Sequence, residues 1–434
     1  MRSANIFYVL LIYYICTFIT LNLFYHIGLW CYRLASCLLA PFYAKAALYH
    51  RGHKGLLAKI SQTIDHKAPI VWFHCASLGE FEQGRPIIER YRESYPDEKI
   101  LLTFFSPSGY EPRKNYEGAD WVFYLPLDTQ CNVRRFLDAV QPSKAIFIKY
   151  EFWYNFLRNL KKRGIPTFVV SAIFLPSQPF FKWYGGFFRR MLNCFTRLFV
   201  QDEASLALLQ SIGIRQAEIS GDSRFDRVWA QAQQPKVSPC INAFCADGRP
   251  VCVAGSTWPR DEAILHEVLQ AFPELKIILV PHEIDKPRIA QIVKNFAPFS
   301  PMCFSQIHSK NTDPTFSPQN RVLVVDALGW LSSIYSVGNW AYVGGGFEDG
   351  IHNILEAAVY GIPVLFGPHY HKYNEAKELI ALGGAQSIRT GKEATDCIQT
   401  WIHQPLLCQK AGVICADYVR THIGATEKVL QNIH

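Results

Sequence analysis

Downstream of Pro69, short apolar runs alternate along the chain with longer helical stretches. The runs are rich in β-branched and aromatic residues, which favour extended strands. In the first half of the chain they occupy residues 70–74, 100–104, 145–148, 167–171 and 198–200. Because strands that alternate with helices are typical of a mainly parallel sheet covered by helices, the pattern predicts an α/β fold.

A polar stretch at residues 231–250, which contains three prolines, interrupts this pattern and is interpreted as an interdomain connection. The alternation then restarts, with predicted strands at 250–256, 276–280, 321–325, 340–343 and 363–366. Two α/β halves of similar size would leave a cleft between them. Ligands in such folds bind beyond the carboxyl ends of the strands, so candidate chemistry is sought there.

The amino-terminal pattern is different, because no Asp, Glu, Lys or Arg occurs from Ser3 to Tyr32. A helix needs about 20 apolar residues to cross a bilayer core, so residues 1–32 are predicted to be a membrane anchor. A cleaved signal peptide is the alternative, but its apolar region would be shorter, about 7–15 residues. Cations follow from Arg33 onward, with no acid before Asp65, which places the rest of the chain in the cytoplasm.

Residues 33–66 mix these cations with apolar residues and are predicted to form a basic amphipathic segment that lies on the membrane. A plain juxtamembrane linker is the alternative. With 434 residues and only 18% charged residues, the chain has room for two or three folded domains and is not disordered. Its 13 cysteines include no Cys-x-x-Cys pair, which favours reduced core thiols.

The candidate chemistry of the second half begins with Gly344–Gly346, which follow a predicted strand. Glycines let the backbone approach a ligand closely, and Asn353 is a plausible start for a helix whose N–H groups favour phosphate. Glu356, three residues later, is placed to accept hydrogen bonds from sugar hydroxyls. A tight turn and a capping-box partner are the alternative interpretations of the glycines and of Glu356. A further strand-end loop would bring His369 to the same rim.

In the first half, Glu80 lies between a strand and a helix, and Glu151 follows another strand. A carboxylate in a strand-end loop is well placed to act as a general base. An acid that only stabilises the start of a helix is the alternative interpretation of Glu80. Serine-hydrolase, zinc-protease and Walker-type functions are excluded, because their signature sequences are absent.

Several segments, each weak alone, occur together in a recognisable order. They are Ala76–Glu80, Glu151–Asn155, Gly221–Asp226, Gly255–Trp258, Val280–Glu283, Gly344–Gly346 and His352–Ala358. Together they resemble the 3-deoxy-D-manno-octulosonic acid (Kdo) transferases of Gram-negative lipopolysaccharide synthesis. The resemblance runs over almost the whole chain.

The resemblance implies two Rossmann-like domains of glycosyltransferase B type with an interdomain cleft, preceded by the anchor helix. Residues 67–232 would bind the acceptor and residues 233–434 the CMP-sugar donor. The implied reaction moves Kdo from CMP-Kdo to a lipid A precursor of lipid IVA type, with inversion and with neither metal nor cofactor. It would take place on the cytoplasmic side of the inner membrane.

The resemblance also implies roles for individual residues. Glu80 matches the catalytic base, while Glu151 and Arg224 match positions that assist the transition state. The implied donor-binding residues are Pro281, His282, Leu328, Gly329, Trp330, Asn353, Ile354, Leu355 and Glu356. This chain has Arg224 where lysine is common, His282 in place of arginine and Trp330 in place of glutamate.

The net charge of +8 agrees with such substrates, because CMP-Kdo and a phosphorylated lipid are both anionic. Binding to nucleic acid is ranked lower, since the cations are dispersed and no nucleic-acid module is recognised. Two other functions stay open at this point. One is a glycosyltransferase of the same fold that uses another nucleotide sugar, and the other is a non-catalytic, membrane-tethered lipid-binding relative.

Overall fold

The computed structural model describes residues 22–236, 238–308 and 316–433. They form two compact units. The first runs to Asp226 and takes in the residues from Gly424 on, and the second spans Arg227–Ile423. Each unit contains a parallel β-sheet with helices packed on it, so the predicted α/β class with two parallel-sheet domains is confirmed.

The first unit is built on a seven-stranded sheet within the described residues. Its strands are β1 (Ile70–Cys75), β2 (Lys99–Phe104), β3 (Trp121–Tyr124), β4 (Lys144–Ile148), β5 (Thr167–Ala172), β6 (Arg197–Val200) and β7 (Ala217–Ile219). They lie in the order β3-β2-β1-β4-β5-β6-β7, and all neighbouring pairs are parallel. This order places the ends of β1 and β4 side by side.

Helices cover both faces of this sheet. They are α1 (Asn22–Leu39), α2 (Ala44–His53), α3 (Leu56–Thr63), α4 (Leu78–Ser94), α5 (Pro107–Arg113), α6 (Gln130–Val140), α7 (Tyr154–Lys162), α8 (Gly186–Leu192) and α9 (Glu203–Ser211). Helix α10 (Ser223–Gln233) begins in this unit, and the chain passes into the second unit within it. Successive strand residues face opposite sides, so Trp72 packs with Phe136 of α6 whereas Phe73 packs with Phe81 of α4. The strands are therefore apolar on both faces, as their continuous apolar runs require.

The end of the described chain returns to the first unit as α20 (Ala425–Leu430). Val429 and Leu430 of α20, and Ile433 after it, join the core that contains the buried face of α4. The Asp226 carboxylate accepts hydrogen bonds from the backbone N–H groups of Gly424 and Thr426, both at 2.6 Å. The predicted boundaries, 67–232 and 233–434, thus differ from the observed units, because residues from 424 on complete the first unit and the division falls after Asp226.

The second unit has a seven-stranded parallel sheet of its own in the described residues. Its strands are β8 (Val251–Thr257), β9 (Lys276–Pro281), β10 (Met302–Cys303), β11 (Val322–Val324), β12 (Trp340–Val343), β13 (Val364–Phe366) and β14 (Ala385–Ser387). Their order is β10-β11-β9-β8-β12-β13-β14. Loops after β11, β9, β8 and β12 therefore emerge next to one another at the carboxyl edge.

Helices again flank the strands of the second unit. They are α11 (Pro239–Cys245), α12 (Pro259–Ala271), α13 (Lys286–Asn295), α14 (Phe304–His308), α15 (Leu331–Ile334), α16 (Leu355–Ala358), α17 (Asn374–Leu382), α18 (Gly391–His403) and α19 (Pro405–Thr421). Helix α11 lies inside the stretch that was predicted to be an interdomain connection. It folds because Cys240, Ile241 and Phe244 provide an apolar side that is buried.

The predicted anchor, residues 1–32, is described only from Asn22 onward, and its first 21 residues lie outside the described range. No described helix is by itself long and apolar enough to cross a membrane. Helices α1 and α2 pass that test only as a pair, and the pair is bent by 115°. Tyr25 and Leu29 of α1 are packed against the first unit, so residues 22–32 give no support to a spanning helix.

Candidate active site

The predicted catalytic residues of the first unit lie at the carboxyl edge of its sheet. Glu80 follows β1, Glu151 follows the neighbouring strand β4, and Arg224 follows β7. Parallel strands bring such loops to one edge even though their residues are far apart in the chain. The structure thus places the three side chains on the side of the sheet where ligands bind in this class of fold.

Glu80 lies in the first turn of α4, where its half-buried carboxylate accepts a hydrogen bond from Ser77 Oγ. Ser77 is the N-cap residue of the helix, and its extended backbone turns the chain from β1 into α4. A negative charge in the first turn also interacts favourably with the helix dipole. The position therefore stabilises the start of the helix and keeps a carboxylate at the sheet edge. It agrees both with a general base and with an acid that only stabilises the helix.

Glu151 is held much more firmly, by two side chains that contact the same carboxylate oxygen. Trp153 Nε1 donates to Oε2 at 2.7 Å, and His74 Nε2 lies 3.1 Å from it. On its other side, His74 Nδ1 is 2.9 Å from Thr103 Oγ1, which accepts a hydrogen bond from Trp72 Nε1 at 2.8 Å. The fully buried imidazole thus links Glu151 to the interior of the sheet and fixes the direction of its carboxylate.

The charges of the predicted catalytic residues act on common neighbours. Burial raises the pKa of the Cys75 thiol, and the nearby carboxylates of Glu80 and Glu151 raise it further. Burial also raises the pKa of the Tyr150 hydroxyl, an effect that Arg224 opposes and Glu80 reinforces. Glu80, Glu151 and Arg224 therefore share one electrostatic environment around the ends of β1 and β4.

Arg224 is itself paired with an acid. Its guanidinium Nε donates to Asp222 Oδ2 at 2.7 Å, and its backbone N–H donates to Asp222 Oδ1 at 2.9 Å. The Arg224 side chain remains about a quarter exposed. The ion pair holds the guanidinium in place, and the exposed part leaves it accessible to an anionic ligand.

In the second unit, the glycines after β12 allow backbone segments to approach each other very closely. A Cβ on Gly344 would lie 2.3 Å from the carbonyl oxygen of Ser256, and one on Gly346 would lie 2.6 Å from the backbone nitrogen of Gly367. The tight-turn interpretation therefore accounts for these two glycines. They hold the loops after β8, β12 and β13 together.

A buried carboxylate, Asp261, secures this glycine turn. It accepts hydrogen bonds from the Tyr342 hydroxyl at 2.7 Å, from the Gly345 N–H at 3.0 Å and from the Trp258 N–H at 2.9 Å. The side chain is fully shielded from solvent. One residue at the start of α12 thus connects the loops that follow β8 and β12.

Three rings form a stack beside the glycine turn. The Trp258 indole lies on His282 with centroids 4.8 Å apart, and His282 lies on His352 with centroids 4.6 Å apart. Trp258 Nε1 donates to His352 Nε2 at 3.3 Å. Burial lowers the pKa of His352 to about 4, and the neighbouring His282 contributes to this shift. His352 is therefore neutral near pH 7.

His352 is expected to make the second unit sensitive to acid. Because its pKa is lower in the folded chain than the usual 6.5, the unfolded chain binds more protons between pH 6.5 and pH 4. The free energy of unfolding is therefore highest above pH 6.5 and decreases as the pH falls from 6.5 towards 4, because protons bind the unfolded chain more tightly. From pH 7 to pH 5 we expect a loss of about 1 kcal/mol, allowing for the exposed part of the ring.

Urea unfolding of the His352→Gln variant at pH 7 and pH 5 tests this expectation, because glutamine accepts a hydrogen bond but does not titrate. The variant should lose about 1 kcal/mol less than the parent chain between the two pH values. His403→Gln is the control, since this histidine at the end of α18 is exposed. An equal pH dependence in the parent and in His352→Gln would contradict the assignment.

The remaining predicted donor-binding residues also lie in loops at the carboxyl edge of the second sheet. Pro281 ends β9 and is buried, and the loop after β11 contains Leu328, which is 82% exposed, and Gly329, which has a φ of 79°. The next residue, Trp330, packs edge-on against Phe304. The loops after β9 and β11 are neighbours because their strands are paired.

Asn353, Ile354, Leu355 and Glu356 form a different local structure from the one predicted. A helix is present, but α16 begins at Leu355, two residues after the predicted start at Asn353, and has only four residues. The Asn353 amide donates to Glu356 Oε1 at 3.3 Å, while its Oδ1 accepts from the Leu355 N–H at 3.2 Å. The two side chains stabilise the turn, but Glu356 accepts from a side-chain amide and not from the N-cap backbone, so the contact is not a capping box.

Several residues that hold these two sites together were assigned no role from the sequence, among them His74, Trp153, Trp258, Asp261 and His352. Their contacts join segments that are distant along the chain, such as Trp258 with His352, 94 residues apart. Only His74 carried a local signal, because it is a polar residue inside an otherwise apolar strand.

Known proteins resemble the chain in sequence and in fold. Residues 50–227 match the family model of the 3-deoxy-D-manno-octulosonic-acid transferases (kdotransferases). A 3-deoxy-D-manno-octulosonic acid transferase of Chlamydophila psittaci is 28% identical over 324 residues, which is 73% of each chain. The enzyme of the same name from Haemophilus influenzae is 26% identical and is matched over 83% of this chain and 85% of its own length.

Solved structures resemble the fold at lower sequence identity. The UDP-GlcNAc 2-epimerase of Neisseria meningitidis has a TM-score of 0.57 at 14% identity, and the match covers 84% of this chain and 99% of that one. MurG of Acinetobacter baumannii has a TM-score of 0.53 at 11% identity with the same coverage of both chains. On the family model and the relatives named above, the chain is similar to the 3-deoxy-D-manno-octulosonic acid (Kdo) transferases.

Proposed function

We propose that this protein is a Kdo transferase that moves Kdo from CMP-Kdo onto a lipid A precursor of lipid IVA type during lipopolysaccharide biosynthesis. The transfer inverts the anomeric centre and needs no metal. The observation that carries the proposal is the pair of carboxylates, Glu80 and Glu151, at adjacent strand ends of the first unit. They occur within the part of the chain that matches the family model.

The two carboxylates have different surroundings, which supports different roles. Glu80 accepts a hydrogen bond from Ser77 and is partly exposed, so an acceptor hydroxyl can reach it. We assign it the role of general base, which takes the proton of that hydroxyl as the oxygen attacks the anomeric carbon of Kdo. Glu151 is fixed by His74 and Trp153, and we assign it the stabilisation of positive charge that develops on the sugar.

The second unit is the proposed donor site. The phosphate of the departing CMP needs hydrogen-bond donors and positive charge in a fixed arrangement. The exposed His282 places a ring nitrogen near the other predicted donor residues. The dipole of α16 contributes little, because a helix of four residues sums few peptide dipoles. Arg224 of the first unit is the proposed cation for the sugar carboxylate.

We further propose that the protein works on the cytoplasmic surface of the inner membrane and attaches to it through α1 and the turn after it. Large apolar side chains there are exposed, among them Trp30 at 63%, Leu38 at 64% and Phe42 at 80%. The cations Arg33 and Lys45 lie in the same region and favour an anionic lipid surface. Residues 1–21 would add further apolar contact with the lipid.

Donor competition tests this function directly. Purified protein is incubated with a lipid A precursor and CMP-Kdo, and product is detected by mass spectrometry. We expect transfer of Kdo, inhibition by CMP, and protection of the second unit from proteolysis by CMP but not by UDP. Protection by UDP or a UDP-sugar without any effect of CMP would contradict the proposed donor, and transfer to a water-soluble sugar alone would contradict the proposed acceptor.

A further inference from the structure

Tyr25 is the side chain through which α1 reaches into the first unit. Its ring packs edge-on against Tyr154, with centroids 5.7 Å apart, and its hydroxyl donates to Asp128 Oδ2 at 2.5 Å. The preceding side chains, Leu23 and Phe24, are 58% and 62% exposed. A polar contact therefore holds α1 against the unit at a point where its other face is open to solvent.

Asp128, which accepts this hydrogen bond, is fully buried. It precedes α6 in the chain but lies against the first turn of α7. Its carboxylate accepts the backbone N–H groups of Asn155 and Phe156, each at 2.9 Å. The N–H of Tyr154 donates to the Tyr25 hydroxyl oxygen at 3.3 Å. The first N–H groups of a helix have no partners within it and are usually satisfied by the N-cap side chain.

Helix α7 has no such cap of its own, because its N-cap residue is Trp153, whose side chain makes no capping hydrogen bond. Tyr25 and Asp128 provide the cap from two other parts of the chain. The indole of Trp153 instead donates to Glu151 at 2.7 Å and packs on Phe105, with ring centroids 4.8 Å apart. The residue that begins α7 is thus also the residue that holds Glu151.

The balance of charge at Asp128 makes the Tyr25 hydroxyl important. Burial raises the pKa of Asp128 to about 7, and the hydrogen bonds from Tyr25, Asn155 and Phe156 oppose this shift. A charged carboxylate in such a place depends on its donors. Removing the hydroxyl would weaken the cap at the end of α7 that adjoins Glu151.

We propose that Tyr25 and Asp128 are positioning residues that couple the packing of α1 on the first unit to the placement of Glu151 for sugar transfer. They act through the start of α7 and through Trp153, without touching either substrate. The inference rests on the role proposed for Glu151. It makes the helix nearest the membrane a determinant of the rate of the reaction.

A double-mutant cycle tests the coupling. Tyr25→Phe keeps the ring and removes only the hydroxyl, and we expect kcat to fall about tenfold with the KM for CMP-Kdo unchanged. In the Glu151→Gln background, the same substitution should cause no further fall, because the side chain that it positions has lost its charge. Tyr184→Phe is the matched control, since this tyrosine shortly before α8 is exposed and lies outside the proposed sites.

The outcomes separate the two proposals. If Glu151→Gln alone leaves kcat unchanged, the role of Glu151 fails, and the coupling fails with it. If Glu151→Gln lowers kcat but Tyr25→Phe lowers it equally in both backgrounds, or in neither, only the coupling is overturned. Hydrogen exchange gives a readout besides activity, and we expect the amides of Asn155 and Phe156 to exchange faster in Tyr25→Phe. Should that variant not fold, Asp128→Asn completes the same cycle.

Discussion

Exchange of Glu80 for glutamine is expected to lower kcat for Kdo transfer by about 10²- to 10⁴-fold, the usual effect of losing a positioned general base. Glutamine has the same shape and still accepts a hydrogen bond from Ser77, so the start of α4 should stay folded. It cannot take a proton from the acceptor hydroxyl. Initial rates with CMP-Kdo and a lipid A precursor, together with calorimetry of CMP binding, measure the two effects separately.

The matched control is Glu93→Gln, which makes the same chemical change in the same helix. The Glu93 side chain is 65% exposed and pairs with Arg90 on the surface, so its loss should leave turnover unchanged. A folded Glu80→Gln protein with near-normal turnover would show that Glu80 only stabilises the helix start. Loss of CMP binding in that variant would instead point to misfolding beyond the first unit.

The second large effect is expected for Asp261→Ala, which should destabilise the second unit by about 3–5 kcal/mol. The reason is that Tyr342, Gly345 and Trp258 would each lose the acceptor of a buried hydrogen bond. A buried donor without a partner costs roughly 1–3 kcal/mol. Urea unfolding followed by a probe in the second unit measures the change in the free energy of unfolding.

Tyr342→Phe is the control for this substitution, because it removes one donor and leaves the Asp261 carboxylate with two backbone partners. Its expected cost is about 1–2 kcal/mol. The glycine turn should then remain closed, and CMP binding should be retained. A smaller loss of stability for Asp261→Ala than for Tyr342→Phe would contradict the view that this carboxylate secures the turn.

The central strands were predictable from sequence, whereas the edge strands were not. All ten predicted strands are observed, with small shifts at their ends. The unpredicted strands β3, β7, β10 and β14 are the outer strands of the two described sheets. They are two to four residues long, and β7 has no buried residue. Strands β7, β10 and β14 are too short or too polar to show the continuous apolar run on which the prediction depended, whereas β3 has such a run and was missed.

The site could be predicted in part, for a related reason. Glu80 and Glu151 follow strong central strands, so their positions at the sheet edge followed from the strand pattern. The contacts that hold these two carboxylates could not be predicted. His74 and Glu151 are 77 residues apart in the chain, and no sequence periodicity predicts a contact between them. The return of the chain end to the first unit was missed likewise, because local patterns carry no information about which sheet an amphipathic helix will cover.

That return has a consequence for synthesis on the ribosome. Asp226 and Thr426, which hydrogen-bond to each other, are 200 residues apart in the chain. At about 5–20 residues per second, the first unit waits roughly 10–40 s after its sheet has been made before α20 can cover the groove beside α4. During that interval the apolar side chains around Phe73 and Phe81 lack part of their cover. The nascent chain should therefore be a substrate for a ribosome-associated chaperone until translation is nearly finished.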